Sequence, residues 1–161
     1  MTKNFKRVGI LETGLVSPEL IGIHGSYCEM FECLFREAGI SSELFHVKVS
    51  RGEIPKAPSS ADLWIITGSV HAVYEPLPWI IPLINFLRKC TNSKIPIIGI
   101  CFGHQLLALA FGGQVQKSSK GWGLGVENYK LKENLTWTRN LGDSYNSYAM
   151  HQDQVIEVPN D

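Results

Sequence analysis

The segment from Pro96 to Gln105 constrains the fold of this chain more than any other. It reads PIIGICFGHQ, a short apolar run that ends at a cysteine between two glycines and continues into helix-forming residues. A buried strand that breaks at Cys101 and turns at once into a helix holds the thiol on a tight turn at the carboxyl end of the strand. Gly99 and Gly103 lack side chains, so neighbouring backbone can pass close to this turn. The segment therefore predicts a strand–turn–helix unit.

Cys101 is the first candidate for chemistry. Unpaired helix amides and the positive end of the helix dipole favour a thiolate, which makes a cysteine at this position a nucleophile near neutral pH. An inert core thiol is the alternative, because buried cysteines are common. The flanking glycines, the change from strand to helix and the polar pair His104-Gln105 favour the nucleophile.

The rest of the chain alternates strand and helix patterns. The hydrophobic pattern predicts strands at 8–13, 44–49, 63–68 and 96–100, and helices at 27–38, 80–90 and 106–111. This alternation is typical of an α/β fold with an open, mostly parallel, doubly wound sheet of flavodoxin-like type, with helices on both faces. After Gly113 shorter polar segments predict a few antiparallel strands near the C-terminus. A chain of 161 residues is long enough for one core, so residues 1–161 are expected to form a single domain.

Composition narrows the partners. Fifteen basic and fifteen acidic residues balance, so bulk charge gives no argument for nucleic acid or a membrane surface, and a small molecule or a protein is the expected partner. The polar start Met1–Asn4 and the lack of a long apolar run favour a cytoplasmic protein. Cys28, Cys33, Cys90 and Cys101 show neither a C-x-x-C pair nor metal-ligand spacing, so we expect reduced thiols and no metal. The first three are predicted on inward helix faces.

A second feature lies at the end of the third strand, where Thr67-Gly68-Ser69 follows an apolar run. Parallel sheets bind ligands at the carboxyl ends of their strands. If the third and fourth strands are neighbours, the amides of Gly68 and Phe102 converge as an oxyanion hole. An ordinary turn glycine is the alternative for Gly68. The glycine-rich run Gly121–Gly125 lacks the context of a phosphate loop and predicts a flexible turn.

Three motifs now resemble one family, the class I glutamine amidotransferases, which are the cysteine-dependent glutaminase domains of GMP synthase and its relatives. The run Gly99–Gln105 is similar to their nucleophile motif. Ile66–Ser69, with the loop that continues to Ile80, looks like their oxyanion strand. Met150–Val155, MHQDQV, resembles a later segment written around His-x-Asp-x-Val.

The resemblance implies a set of roles. Cys101 is the nucleophile, Gly68 and Phe102 supply the oxyanion donors, and Gln105 contacts the substrate. Backbone near three further residues holds the amino-acid end of glutamine, namely Met150, Gln152 and Asp153. Glutamine is the implied substrate, an ammonia-accepting synthase domain or subunit is a possible partner, and no cofactor is implied.

The family's catalytic His-x-Glu lies on a strand beyond the His-x-Asp-x-Val segment, and the sequence ends at Asp161 before such a motif. We therefore expect an amidotransferase-like domain whose C-terminal part is missing, as a shortened product, a domain cut within its length, or an inactive glutamine-binding pseudoenzyme. His151 with Asp153 has the residue types of a base and its orienter, and is the alternative base. A gamma-glutamyl peptidase with the same elbow is the alternative enzyme. A cysteine α/β-hydrolase fits the elbow but needs a longer chain.

Overall fold

A computed structural model describes residues 5–133, 135–136, 138 and 140–159 of the protein. The polar start at residues 1–4, on which the cytoplasmic expectation partly rests, lies outside the described residues. The strands and helices, in chain order, are β1 (Arg7–Leu11), α1 (Pro18–His24), α2 (Tyr27–Glu37), β2 (Glu43–Val47), β3 (Leu63–Ile66), α3 (Ile80–Asn92), β4 (Ile97–Gly99), α4 (Phe102–Ala110), β5 (Gln114–Lys117), β6 (Gly123–Lys130), β7 (Ser144–His151) and β8 (Asp153–Glu157).

The first four strands form one sheet in the order β2-β1-β3-β4. All neighbouring pairs are parallel, and the register places Val8 beside Leu63 and Ile65 beside Ile98. The predicted parallel sheet is therefore confirmed. Because parallel strands end at the same edge, the carboxyl ends of β3 and β4 lie side by side.

Helices cover both faces of this sheet, as predicted. On one face α3 and α4 pack over alternate strand residues that include Leu11, Trp64 and Ile66. On the other face Cys28 and Phe31 of α2 pack against the intervening strand residues. The central strands β1 and β3 therefore contribute side chains to two cores, which explains why β3 is buried along its whole length.

One glycine in β1 shapes the larger core. A β-carbon on Gly9 would collide with the indole ring of Trp64, the neighbouring residue on β3. The absence of that carbon lets the fully buried Trp64 lie across the sheet, where its ring meets Phe45 and Phe86 edge-on at centroid distances of 5.6 and 5.1 Å. Its Nε1 donates a hydrogen bond to the carbonyl of Pro58, so the ring is buried with its polar atom satisfied.

Several elements differ from the sequence prediction. Helix α1, which the hydrophobic pattern did not indicate, has no buried residue, so no apolar period marks it. Helix α4 begins at Phe102 rather than Leu106 because it starts directly at the Cys101 turn. The segment between β2 and β3 contains two 3-10 turns, Val49–Arg51 and Pro58–Ser60.

The prediction of a flexible turn at Gly121–Gly125 is wrong for its second half. Gly123 and Gly125 lie in β6, where they pair with His151 and Ala149 of β7. Gly125 has a φ of +100°, so glycine here permits a strand conformation that other residues rarely adopt. The pairing with β7 could not be seen from the local composition.

The chain divides into two compact units, residues 1–115 with 155–161, and residues 116–154. The first contains the parallel sheet and its helices. The second is built on the antiparallel pair β6–β7, which confirms the predicted antiparallel strands. Strands β5 and β8 form a two-stranded sheet of their own. Among the described residues, no helix combines the length and the apolar character needed to cross a membrane.

Candidate active site

Cys101 lies on the turn between β4 and α4. Its backbone has φ +52° and ψ −106°, and it is the N-cap residue of α4. A residue with a β-carbon rarely adopts such dihedrals, and they cost about 1–3 kcal/mol where they occur. The residue is exposed. The turn therefore presents the thiol to solvent at the positive end of a helix, as the sequence predicts.

Two glycines make this turn possible. A β-carbon on Gly99 would lie 2.7 Å from the amide nitrogen of His104, and one on Gly103 would lie 2.7 Å from both the Cβ and the carbonyl oxygen of Ile66. The start of α4 therefore packs directly on the ends of β3 and β4. The expected steric reason for both glycines is confirmed.

Gly68 lies beside the cysteine. A β-carbon on Gly68 would lie 3.8 Å from the Cβ of Cys101 and 3.8 Å from the hydroxyl of Tyr27. Phe102, the first residue of α4, is buried, and its ring meets Trp79 at a centroid distance of 5.7 Å. Within the described residues, neither the Gly68 amide nor the Phe102 amide donates a hydrogen bond to another protein group. Both amides are thus available to a ligand next to Cys101.

A buried network of hydroxyl groups ties β1 to β3 behind Gly68. The Thr13 amide donates to Oγ1 of Thr67 at 3.0 Å, and Oγ1 of Thr13 donates to the Thr67 carbonyl at 2.9 Å. Oγ of Ser69 donates to the Thr13 carbonyl at 2.8 Å. Position 14 requires glycine for this close packing, because a β-carbon there would lie only 2.8 Å from the Gly68 carbonyl oxygen. The sequence analysis missed this network, although polar Glu12-Thr13 after an apolar strand is its signal.

Tyr27 is a further residue that sequence reasoning missed. It opens α2, and its hydroxyl faces Gly68 and Cys101. Burial raises the pKa of Tyr27 above its ordinary value, and the nearby Cys101 and Glu12 raise it further. The phenol therefore stays protonated and can donate a hydrogen bond at neutral pH.

Gln105 lies one turn into α4. Its amide donates to the Cys101 carbonyl at 3.1 Å, and its side chain is buried. The Gln105 side chain is thus buried one helical turn from Cys101. Its predicted contact with substrate stays a prediction.

The other cysteines are less accessible than Cys101. Cys28 and Cys90 are buried, as predicted for inward helix faces. Burial raises the pKa of Cys90 to about 11, and burial followed by the adjacent Glu32 raises the pKa of Cys28. The prediction is wrong for Cys33, which is half-buried and accepts a hydrogen bond from Arg36 at 3.3 Å. The position of Cys33 on α2 places it away from the helix face that carries the buried residues Cys28 and Phe31.

Met150, His151, Gln152 and Asp153 belong to the second unit. The Met150 side chain is 79% exposed, at a position paired with Leu124. The Gln152 carbonyl accepts a hydrogen bond from the Ser118 amide at 3.0 Å. Nδ1 of His151 lies 3.1 Å from the Asp153 carbonyl oxygen and 3.3 Å from Nε2 of Gln154. The His151 ring is therefore held by main-chain and amide groups of its own turn.

A histidine–carboxylate pair that the sequence analysis did not single out lies after β3. Nδ1 of His71 is 2.9 Å from Oε2 of Glu75, and the same carboxylate accepts a hydrogen bond from the Ala72 amide. The His71 ring lies 6.3 Å from the ring of Trp79. Among the described residues, no group of three or more histidine, cysteine, aspartate or glutamate side chains could hold a metal ion.

Comparison with known proteins gives a consistent result. Residues 19–161 match the family described as glutamine amidotransferase class-I. Gamma-glutamyl peptidase 2 of Arabidopsis thaliana is 29% identical over 99% of this chain and 65% of its own length. A glutamine-hydrolyzing GMP synthase subunit of Methanocaldococcus jannaschii is 43% identical over 47% of this chain and 39% of its own length. The crystal structure of a glutamine amidotransferase from Thermotoga maritima superposes with a TM-score of 0.79 at 22% identity, covering 96% of this chain and 64% of that one. The chain thus spans less than two thirds of each of these relatives.

Proposed function

The chain belongs to the class I glutamine amidotransferase family, and from that membership we propose that Cys101 cleaves the side-chain amide of glutamine through a glutamyl thioester. The observation that carries the proposal is the arrangement at the elbow. An exposed cysteine at a helix N-terminus lies beside two amides, those of Gly68 and Phe102, that are available to a ligand. This is what acyl transfer through a thiolate needs.

The reaction follows from these groups. The Cys101 sulfur forms a bond to the amide carbon, and the carbonyl π electrons move to the oxygen. The resulting oxyanion accepts hydrogen bonds from the Gly68 and Phe102 amides, and oxyanion donors of this kind are worth about 3–4 kcal/mol each. When the oxyanion collapses, the carbon–nitrogen bond breaks and ammonia leaves with a proton. Water then hydrolyses the thioester, which gives glutamate and returns the thiolate.

Proton transfer to the leaving nitrogen needs a general acid. We propose that the acid is a His-x-Glu pair of the family type, and that Met150, Gln152 and Asp153 hold the amino-acid end of the substrate. The hydrogen bonds that tie His151 to its own turn support this division of roles. General acid–base help is worth about a hundredfold to ten-thousandfold in rate. A polypeptide without the acid should therefore bind glutamine and release ammonia slowly.

A gamma-glutamyl peptidase activity is the second candidate. Relatives named gamma-glutamyl peptidases match 84% to 99% of this chain at 29% to 31% identity. The same thioester would form, and an amino acid or peptide would leave in place of ammonia. The elbow serves both reactions, so the leaving-group side of the substrate site decides between them.

The deciding experiment compares two substrates. Ammonia release from glutamine and alanine release from gamma-glutamyl-alanine are measured with the 161-residue polypeptide and with a version extended through any downstream His-x-Glu. Cys101→Ala is the control for both. We expect glutamine cleavage in the extended version and its loss in Cys101→Ala, and a preference for gamma-glutamyl-alanine would favour the peptidase.

His151→Ala made in both versions tests the choice of acid. We expect His151→Ala to change KM more than kcat. Full activity of the 161-residue polypeptide that His151→Ala abolishes would show that His151 is the base and that the proposed division of roles is wrong.

We further propose that residues 1–161 are part of one amidotransferase-like domain, because the family match runs through both compact units. One relative is named as a subunit of GMP synthase, which supports the proposal that the ammonia acceptor is a separate synthase domain or subunit. We also propose a reducing compartment such as the cytoplasm, in which the thiols of Cys28, Cys33, Cys90 and the proposed nucleophile Cys101 stay reduced.

A further inference from the structure

We propose that Tyr27 is a substrate-positioning residue whose hydroxyl donates a hydrogen bond to the gamma-glutamyl group held beside Cys101. The inference rests on the proposed function and deepens it. Its basis is geometric, because the Tyr27 hydroxyl and the Cys101 β-carbon are equally close to the β-carbon position of Gly68, at 3.8 Å each. A group bound between Gly68 and Cys101 therefore meets the phenol.

The start of α2 fixes the backbone that carries the phenol. Ser26, the N-cap residue, and Glu29 form a capping box in which the Ser26 amide donates to Oε2 of Glu29 at 2.7 Å. Cys28, directly after Tyr27, and Phe31, one turn further on, anchor the helix in the core against β1 and β3. Tyr27 is thus held between a capped helix end and a packed core. A hydroxyl held in this way can act on a ligand at little cost in ordering.

The local charges suit a hydrogen-bond donor. Burial raises the pKa of Tyr27, and the neighbouring Cys101 and Glu12 raise it further, so the hydroxyl keeps its proton when Cys101 ionises. A protonated phenol beside the nucleophile can donate a hydrogen bond to a carbonyl or carboxylate oxygen of the substrate, and it adds no second negative charge next to the thiolate. The Gly68 and Phe102 amides stabilise the oxyanion, whereas Tyr27 acts on the bound group before the attack.

Two alkylating probes separate recognition from thiol reactivity. The chloroketone analogue of L-glutamine must bind before it alkylates the thiol, whereas iodoacetamide reports the reactivity of Cys101 alone. Both rates are measured at Cys101 by mass spectrometry in the 161-residue polypeptide, in Tyr27→Phe and in Tyr129→Phe. Tyr129 stacks on Tyr145 within the β6–β7 pair, so its variant loses the same hydroxyl at a different place.

We expect chloroketone labelling of the unsubstituted protein to saturate. In Tyr27→Phe the half-saturating concentration should rise about tenfold, the effect of losing one hydrogen bond, while the iodoacetamide rate stays within about twofold. Tyr129→Phe should match the unsubstituted protein in both. Thermal melting confirms that each variant is folded.

Each other outcome is informative. Saturable labelling that is unchanged in Tyr27→Phe overturns the role of Tyr27 and leaves the proposed function standing. Equal slowing by both probes shows that Tyr27 acts on the thiol itself, which also overturns the inference. Labelling that does not saturate in the unsubstituted protein, or that the D-isomer matches, contradicts the proposed function and the inference together.

Discussion

The elbow around Cys101 in the first compact unit and the β6–β7 pair in the second are built in opposite ways. At the elbow, Gly99, Gly103 and buried Phe102 place backbone against backbone at contact distance. Along β6 and β7 almost every residue is half-buried or exposed, and Ala149 is the buried exception among their described residues. The conformation of the elbow depends on close steric packing, whereas that of the strand pair depends on main-chain hydrogen bonds.

This difference determines which substitutions each region can accept. A packed turn has no room for one added carbon, since interiors are as dense as organic crystals. An exposed strand pair keeps its geometry through hydrogen bonds that every residue except proline can make. The elbow should therefore be sensitive to single atoms, and the strand pair should tolerate changes of whole side chains.

The largest expected effect is that of Gly103→Ala. Its β-carbon would lie 2.7 Å from Ile66 Cβ, so we expect a loss of about 3 kcal/mol in the free energy of unfolding and slow alkylation of Cys101. Urea denaturation and iodoacetamide labelling measure the two effects. Gly22→Ala is the matched control, because nothing lies within 4 Å of its β-carbon position in α1. Equal stability of the two variants would show that the elbow is not tightly packed.

Cysteine selectivity should follow from the same contrast between exposed turn and packed core. At about pH 8 iodoacetamide should alkylate Cys101 at least about a hundredfold faster than Cys90. Burial raises the pKa of Cys90 to about 11, so a rise to about pH 9 leaves it a thiol in the folded protein and ionises it in urea. Peptide mass spectrometry follows each site. Labelling of Cys90 or Cys28 as fast as Cys101 would contradict the assignment of the nucleophile.

A smaller effect is expected at position 101 itself. Glycine tolerates φ +52° and ψ −106° better than any residue with a β-carbon. Cys101→Gly should therefore be more stable than Cys101→Ala by about 1 kcal/mol, after the greater entropy of glycine in the unfolded chain is subtracted. Urea denaturation of both variants gives the difference. A less stable glycine variant would show that the turn is not strained.

The smallest effect is expected in the strand pair. Tyr148 is 87% exposed opposite Val126, so Tyr148→Ala should change the free energy of unfolding by less than about 0.5 kcal/mol. Hydrogen exchange of the β7 amides gives a local measure. A loss comparable to that of Gly103→Ala would remove the contrast between the two regions.

Most strands of the parallel sheet could be predicted from the sequence, because a local pattern marks each of them. The apolar runs at 8–11, 63–66 and 97–100 are short and bounded by turn residues, and amphipathic helices separate them. The elbow could be predicted for the same reason, since strand, glycines, cysteine and helix follow one another in the run from Pro96 to Gln105. Helix α1 could not, because it has no buried face.

The remaining parts of the site depend on residues that are far apart in the sequence. The Thr13 amide donates a hydrogen bond to Thr67, and Tyr27 lies near Gly68 and Cys101. Both contacts form because the fold brings the carboxyl ends of the parallel strands together. A sequence pattern shows that a strand ends in polar residues but not which residues of another segment they meet. The strand identity of Gly123 and Gly125 likewise depends on a partner strand that lies well beyond them along the chain.

At Cys101, selection for stability and selection for a reactive thiol favour different residues, because of the backbone conformation there. A search for thermostable variants that scores only unfolding would accept glycine at this position and discard the thiol. The thiol chemistry proposed for Cys101, in contrast, requires the residue that the turn accommodates poorly, which is the stability–activity trade-off reduced to one pair of dihedral angles. Engineering of this protein for heat resistance should therefore hold position 101 fixed and gain its stability elsewhere, for example at Gly22, where an added methyl group meets open space.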